Sequence, residues 1–280
     1  MEETQVGIGV ILFLLCLAGF SVLGLVFLHS RRSGVCFRAA RSTEPPLWGG
    51  GLVLAALLGY QLLMIFFMGV FSSGLQFTPA DLCAAMLLAG LVVTLIILWN
   101  VVFKLRQPPA VLGICGAPLA NLVPVILFTL LIITPIMVVS ISWALLLQFL
   151  GIPPERQLIV EQFSGFVSEG NYPELALMVL GAVVLAPLWE ELIFRGLFLG
   201  LLRSHWGAPS ALVFTSLVFS AYHFSLSAFL PLFFTGIALG YVYIRTRSIY
   251  FAILAHAVFN GVMLLLEVLL VLNPDLLGKS

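Results

Sequence analysis

The sequence predicts an all-α, polytopic membrane protein of about eight transmembrane helices enclosing a buried polar cavity. Three observations predict it. Of its 280 residues, 62% are hydrophobic and only 9% are charged, where soluble domains carry roughly 25% charged residues. Apolar runs close to the ~20 residues needed to cross a bilayer begin near residues 5, 48, 83, 121, 174, 209, 228 and 249. The carboxylates and histidines that fall inside these runs are few, and they gather in the second half of the chain. A net charge of zero gives no electrostatic reason to expect nucleic acid. The expected partners are membrane lipid and a membrane-associated peptide or protein.

Taken in order, the first run follows an acidic start, "MEETQVGIGV", where a secretory signal would be basic, so it reads as a retained span. "TEPPLWGGG", residues 43–51, reads as a loop leading into the second span. With eight spans and the N-terminus outside, Arg31, Arg32, Arg38, Arg41, Lys104, Arg106, Arg203, Arg245 and Arg247 fall on the cytoplasmic side. Only Arg156 and Lys279 fall outside. This bias orients the chain with both termini non-cytoplasmic. Residues 151–174, with four glutamates, read as an external loop, and "FSLSAFLP" must turn between the sixth and seventh spans. Composition divides the chain into residues 1–120, about three spans with almost nothing ionisable in the membrane, and residues 121–272, which hold the intramembrane carboxylates and histidines. Cys16, Cys36, Cys83 and Cys115 are scattered, with no CxxC pair, and read as small apolar residues.

Ionisable groups inside a span are costly, which makes them functional candidates. "EELIFR" places Glu191 and Arg195 four apart on one helix face, able to pair; Glu190 lies about 100° around the helix, without that partner. "FSAYH" supplies Phe219 and His223, and "HAVFN" sets His256 and Asn260 four apart. Gly236 and Gly240 form a small-xxx-small pattern for close helix contact. Depth connects these segments. Glu190 is 13 residues from Arg203, His223 is 14 from Pro209 and Asn260 is 13 from Arg247, each roughly 20 Å along its helix at ~1.5 Å per residue. Similar depths point to a single polar cluster. The plainer readings are a structural hydrogen bond for either histidine, a backbone carbonyl for Asn260, and a structural ion pair for Glu191 and Arg195.

A carboxylate, two histidines and an amide can together hydrolyse an amide bond. Glu190, among apolar side chains, suits general-base work on a water. His223 can orient that water, and His256 and Asn260 can face an oxyanion. No nucleophilic serine or cysteine is placed beside a base. Glu190, His223 and His256 would also suffice as zinc ligands with one position open, but there is no HExxH and the metal-free reading is favoured. An ion- or proton-coupled transporter would also bury Glu and His, although paired broken helices are lacking. A non-catalytic membrane scaffold of the same fold is the third reading.

"EELIFRG", "FSAYH", the segment ending "RTRSI" and "HAVFN" resemble, in order, the four motifs of the CPBP family. That family includes the type II CAAX prenyl endopeptidases and many bacterial proteins linked to bacteriocin self-immunity. The resemblance covers about residues 121–270. It implies an all-helical intramembrane endopeptidase with a cavity open to the cytoplasm. By position, Glu190 and His223 would activate water and His256 with Asn260 would form the oxyanion hole. Glu191 and Arg195 would support the site, with Phe219 opening the FxxxH motif. The resemblance leaves metal dependence open, and it leaves open whether the substrate is prenylated or another membrane-associated peptide.

Overall fold

The computed structural model describes residues 45–71, 78–153 and 158–273, with a few positions between 17 and 24. The first expected span and the arginines that follow it, Arg31, Arg32, Arg38 and Arg41, lie outside the described residues, as do Arg156 and Lys279. The described chain is helical: α1 Gly50–Phe71, α2 Pro79–Leu98, α3 Leu122–Phe149, α4 Leu158–Glu169, α5 Tyr172–Trp206, α6 Ala208–Ala221, α7 Leu226–Thr246 and α8 Ile249–Leu272. Among the described residues there is no strand, and six helices are long and apolar enough to cross a membrane.

Local chemistry marks the ends. At the start of α2, Thr78 Oγ1 accepts from the Asp81 amide and the Asp81 carboxylate accepts from the Thr78 amide, with Pro79 at the first helical position. This reciprocal cap satisfies donors that a helix end leaves orphaned. Ser225 Oγ likewise accepts from Ala228 to open α7, and α7 ends at Arg247, whose φ of +51° is left-handed.

Two sequence expectations change. The run near residue 209 gives a helix of only 14 residues, about 21 Å long against a hydrocarbon core of ~30 Å. It stops because the chain turns at residues 222–225, where Phe224 takes φ +50°. "LSAFLP" is already helical, the opening of α7, with Pro231 inside it. Ser225, the cap of α7, is the compositional mark of where the turn ends. The external loop, in turn, contains α4. Its glutamates look loop-like, but Phe163 and Val167 sit one turn apart and bury against Met178, Leu264 and Val268.

Lipid is as apolar as the side chains facing it, so helix association rests on close contact and interhelical hydrogen bonds. Both are present. A Cβ on Gly236 would stand 3.0 Å from Ser216 Cβ, and one on Gly240 would meet Leu212 at 2.5 Å, so the glycine pair lets α7 lie directly on α6. A Cβ on Gly90 of α2 would fall 2.0 Å from the Trp189 indole of α5. Across helices, Trp48 Nε1 donates to the Leu197 carbonyl at 3.0 Å, Tyr222 to Leu57 at 2.8 Å and Trp143 Nε1 to Leu226 at 2.8 Å. Beyond α2, Cys115 donates to the Arg247 carbonyl at 3.2 Å. Burial pushes its thiol pKa up, the opposite of what a reactive cysteine needs.

Candidate active site

The site is built on α5, which does not run as a uniform α-helix. Wide turns of the π type span Leu180–Leu185 and Leu192–Leu199 and flank a short α segment, Ala186–Glu191. Such bulges recur at functional sites because they re-aim side chains within a helix. Here the flanked segment carries Pro187, Trp189, Glu190 and Glu191.

Glu191 is fully buried and Arg195 is 3% exposed. Arg195 Nη1 donates to Glu191 Oε1 at 2.9 Å, and Nη2 donates to the Gly236 carbonyl at 3.3 Å. The guanidinium lies 4.5 Å from the centroid of the Phe219 ring, a cation–π contact. The expected ion pair therefore forms, and it does more than neutralise itself. Glu191 Oε1 also accepts from His256 Nδ1 at 2.8 Å, which the sequence reading did not anticipate. His223 Nδ1 donates to the Phe219 carbonyl at 2.8 Å, and the Phe219 ring meets His223 edge-on with centroids 4.8 Å apart. The same ring meets His256 edge-on with centroids 6.1 Å apart, so Phe219 is the hub under three of the site's polar groups.

These bonds fix both tautomers. A carbonyl only accepts, so Nδ1 of His223 carries hydrogen; the Glu191 carboxylate assigns hydrogen to Nδ1 of His256 in the same way. In the neutral rings each Nε2 is then a lone pair. Both lone pairs face one atom: Glu190 Oε2 is 4.0 Å from His223 Nε2 and 3.9 Å from His256 Nε2. Glu190 Oε2 is buried and has no hydrogen-bond partner among the described residues. Glu190 of α5, His223 from the turn that follows α6 and His256 of α8 are brought together.

Asn260 arrives differently. Its Nδ2 donates to the Ala182 carbonyl at 2.8 Å, the plainer of its two expected uses, while its side chain still lines the same cavity. That cavity, of about 290 Å³, has Glu190, His223, His256 and Asn260 at its polar part. Its apolar wall includes Cys83 and Met86 of α2, Ile159 of α4, Leu177 and Met178 of α5, and Phe259 of α8. The contribution of α2 and α4 was invisible in the sequence, where neither carries an ionisable group aimed inward. The close fit of Gly90 to Trp189 was the one available signal, and a lone glycine in an apolar run does not announce it.

Zinc can be tested on these distances. Zinc bonds of ~2.0–2.1 Å at tetrahedral angles set ligand atoms roughly 3.3 Å apart. Separations of 3.9 and 4.0 Å would instead demand two ligand–metal–ligand angles of roughly 145–155°, far wider than tetrahedral. As they stand, the three atoms do not fit a tetrahedral zinc ion, and among the described residues no group of three His, Cys, Asp or Glu side chains is arranged to hold a metal.

With this geometry in view, the comparisons define the class. A family model, that of the Rce1-like type II CAAX prenyl endopeptidases, matches residues 172–262. The chain therefore carries a type II CAAX prenyl endopeptidase-like domain, a domain of a protease family, set in a multi-pass membrane protein. The match contains Glu190, Glu191, Arg195, Phe219, His223, His256 and Asn260. No curated protein and no solved structure matches the chain.

Proposed function

We propose that this protein is an intramembrane endopeptidase that hydrolyses a peptide bond of a membrane-associated substrate, without a metal, by water activated at Glu190. The observation that carries the reading is the convergence of Glu190 Oε2 and the Nε2 atoms of His223 and His256 at 3.9–4.0 Å. Glu190 Oε2 and the unprotonated Nε2 of His223, 4.0 Å apart, are both acceptors and cannot bond each other. A water molecule, with two hydrogens to give and a lone pair to attack with, complements them. Glu190 takes its proton as general base. His223, held through Nδ1 by the Phe219 carbonyl, orients the water. As the tetrahedral intermediate collapses, the acquired proton passes to the leaving amine.

The oxyanion falls to His256 and Asn260. Asn260 has a second N–H on Nδ2 besides the one given to Ala182. His256 donates from Nε2 after taking a proton from solvent, separate from the one Glu190 holds for the leaving amine, and the buried Glu191 carboxylate at Nδ1 then stands as its counter-charge. Arg195 in turn holds Glu191 in place. The apolar wall supports a substrate that enters from the lipid, of which a prenylated CAAX peptide is one candidate and an unmodified membrane peptide another. The end bearing Lys104, Arg203, Arg245 and Arg247 faces the cytoplasm in this reading, by the bias of Lys and Arg.

The test is cleavage of fluorogenic peptides, prenylated and unmodified, by the detergent-purified chain, with and without chelator, beside Glu190→Gln. Cleavage that survives chelator and disappears in Glu190→Gln supports the proposal. Cleavage that needs added zinc, or that persists in Glu190→Gln, refutes it.

A further inference from the structure

The bond from Asn260 to Ala182 raises a question about the backbone. In the first π-type segment of α5, carbonyls accept from the residue five ahead, as Ala186 N–H does for the Gly181 carbonyl. The Ala182 carbonyl would accept from residue 187 in the same register. Residue 187 is proline, which has no N–H, and the Ala186 N–H is already committed. An unsatisfied carbonyl at membrane depth is costly, and a neighbouring helix can supply the missing donor. Here the donor is the Asn260 amide, at 2.8 Å, reaching from α8 to α5.

From this we infer that Pro187 is a positioning residue for Asn260. By deleting one N–H, three residues before Glu190, it leaves a carbonyl for the Asn260 side chain to satisfy, and so holds that amide against the cavity wall. Ala182 and Asn260 both line the cavity that holds Glu190. The helix that presents the general base therefore also fixes the angle of the amide opposite it. The catalytic part of this inference rests on the proposed endopeptidase reading; the hydrogen-bond part does not.

The experiment is a double-mutant cycle on the full chain in detergent, read by melting temperature and by peptide cleavage. Pro187→Ala and Pro187→Val each restore an N–H, the second keeping much of the ring's volume, so that failure of one variant to fold leaves the other. With Pro187 present, Asn260→Ala strands the carbonyl and lowers Tm by roughly 2–10 °C. In the Pro187→Ala or Pro187→Val background, the same change lowers Tm by less than about a quarter as much. Equal Tm losses in both backgrounds overturn the linkage, whatever happens to activity. In cleavage, Pro187→Ala lowers kcat by roughly 10–100-fold with KM unchanged, and adding Asn260→Ala costs little more. A fully additive loss of kcat overturns the positioning role. A coupled Tm with no cleavage of any peptide upholds the bond and fails the endopeptidase reading, and a coupled Tm with cleavage that Glu190→Gln does not touch upholds the bond and fails Glu190 as the base.

Discussion

Removing Arg195 while leaving Glu191 should be among the most damaging single changes in the protein, and removing both should be much less so. Arg195→Met keeps the length of the side chain but deletes the charged hydrogen bond at 2.9 Å and the contact 4.5 Å from Phe219. The first contributes about 1.5–3 kcal/mol and the second about 1–2 kcal/mol when desolvated. The larger effect falls on what remains: Glu191, fully buried, loses the cation that pairs with it and keeps the hydrogen bond to His256 Nδ1. Broken buried pairs of this kind cost about 3–5 kcal/mol, which corresponds to a drop in Tm of roughly 6–20 °C. Glu191→Met with Arg195→Met removes both charges, and well-packed apolar replacements of buried pairs are close to neutral, so at least half of the loss should return. Activity should not return with it, because His256 Nδ1 has lost its acceptor. Thermal unfolding in detergent of the parent, both single variants and the double variant reads the cycle. An Arg195→Met protein that melts within about 2 °C of the parent would refute the reasoning. So would a double variant less stable than either single one.

Further outcomes follow from the same geometry. Glu190→Gln should lower cleavage by roughly 10²–10⁴-fold and leave Tm within about a degree, since its Oε2 holds no hydrogen bond; circular dichroism and melting check the second half. Phe219→Leu should keep the backbone bond to His223 but lose the ring under Arg195, costing about 1–2 kcal/mol and a measurable fall in kcat. Gly90→Ala should destabilise by about 1–3 kcal/mol through overpacking against Trp189, and a smaller residue in place of Trp189 should relieve much of that in the same melt. Prolonged dialysis against chelator should leave both Tm and cleavage unchanged.

How much of this was legible in the sequence depended on whether the information was local. The Glu191–Arg195 pair was, because helix geometry alone sets an i,i+4 contact. That Glu190, His223 and Asn260 would meet at one cavity was too, since residue counts along the three segments set them level. The Gly236/Gly240 contact was visible, though not that α6 would be its partner. What required tertiary packing was not. The bond from His256 to Glu191 joins α8 to α5, and no spacing within either helix encodes it. A turn in "FSLSAFLP" was legible, but not its extent: only Phe224 and Ser225 of that stretch lie in the turn, and the rest already opens α7. The helix α4 was read as loop because its glutamates drew attention from Phe163 and Val167. Pro187 stood beside the glutamate pair throughout, but its meaning depends on a π-type register that the sequence does not display.

The close seat of Trp189 against Gly90 reaches beyond stability. The residues proposed to do the chemistry all lie between 172 and 262, whereas Cys83, Met86 and Ile159, which shape the space around them, lie before that stretch. The proposed chemistry and part of the cavity wall thus lie on different lengths of chain. Two proteins could share every proposed catalytic residue and still admit different substrates, simply by differing in α2. Conversely, residues 172–262 alone would leave the Trp189 indole without Gly90 against it and the cavity without the wall that Cys83, Met86 and Ile159 supply.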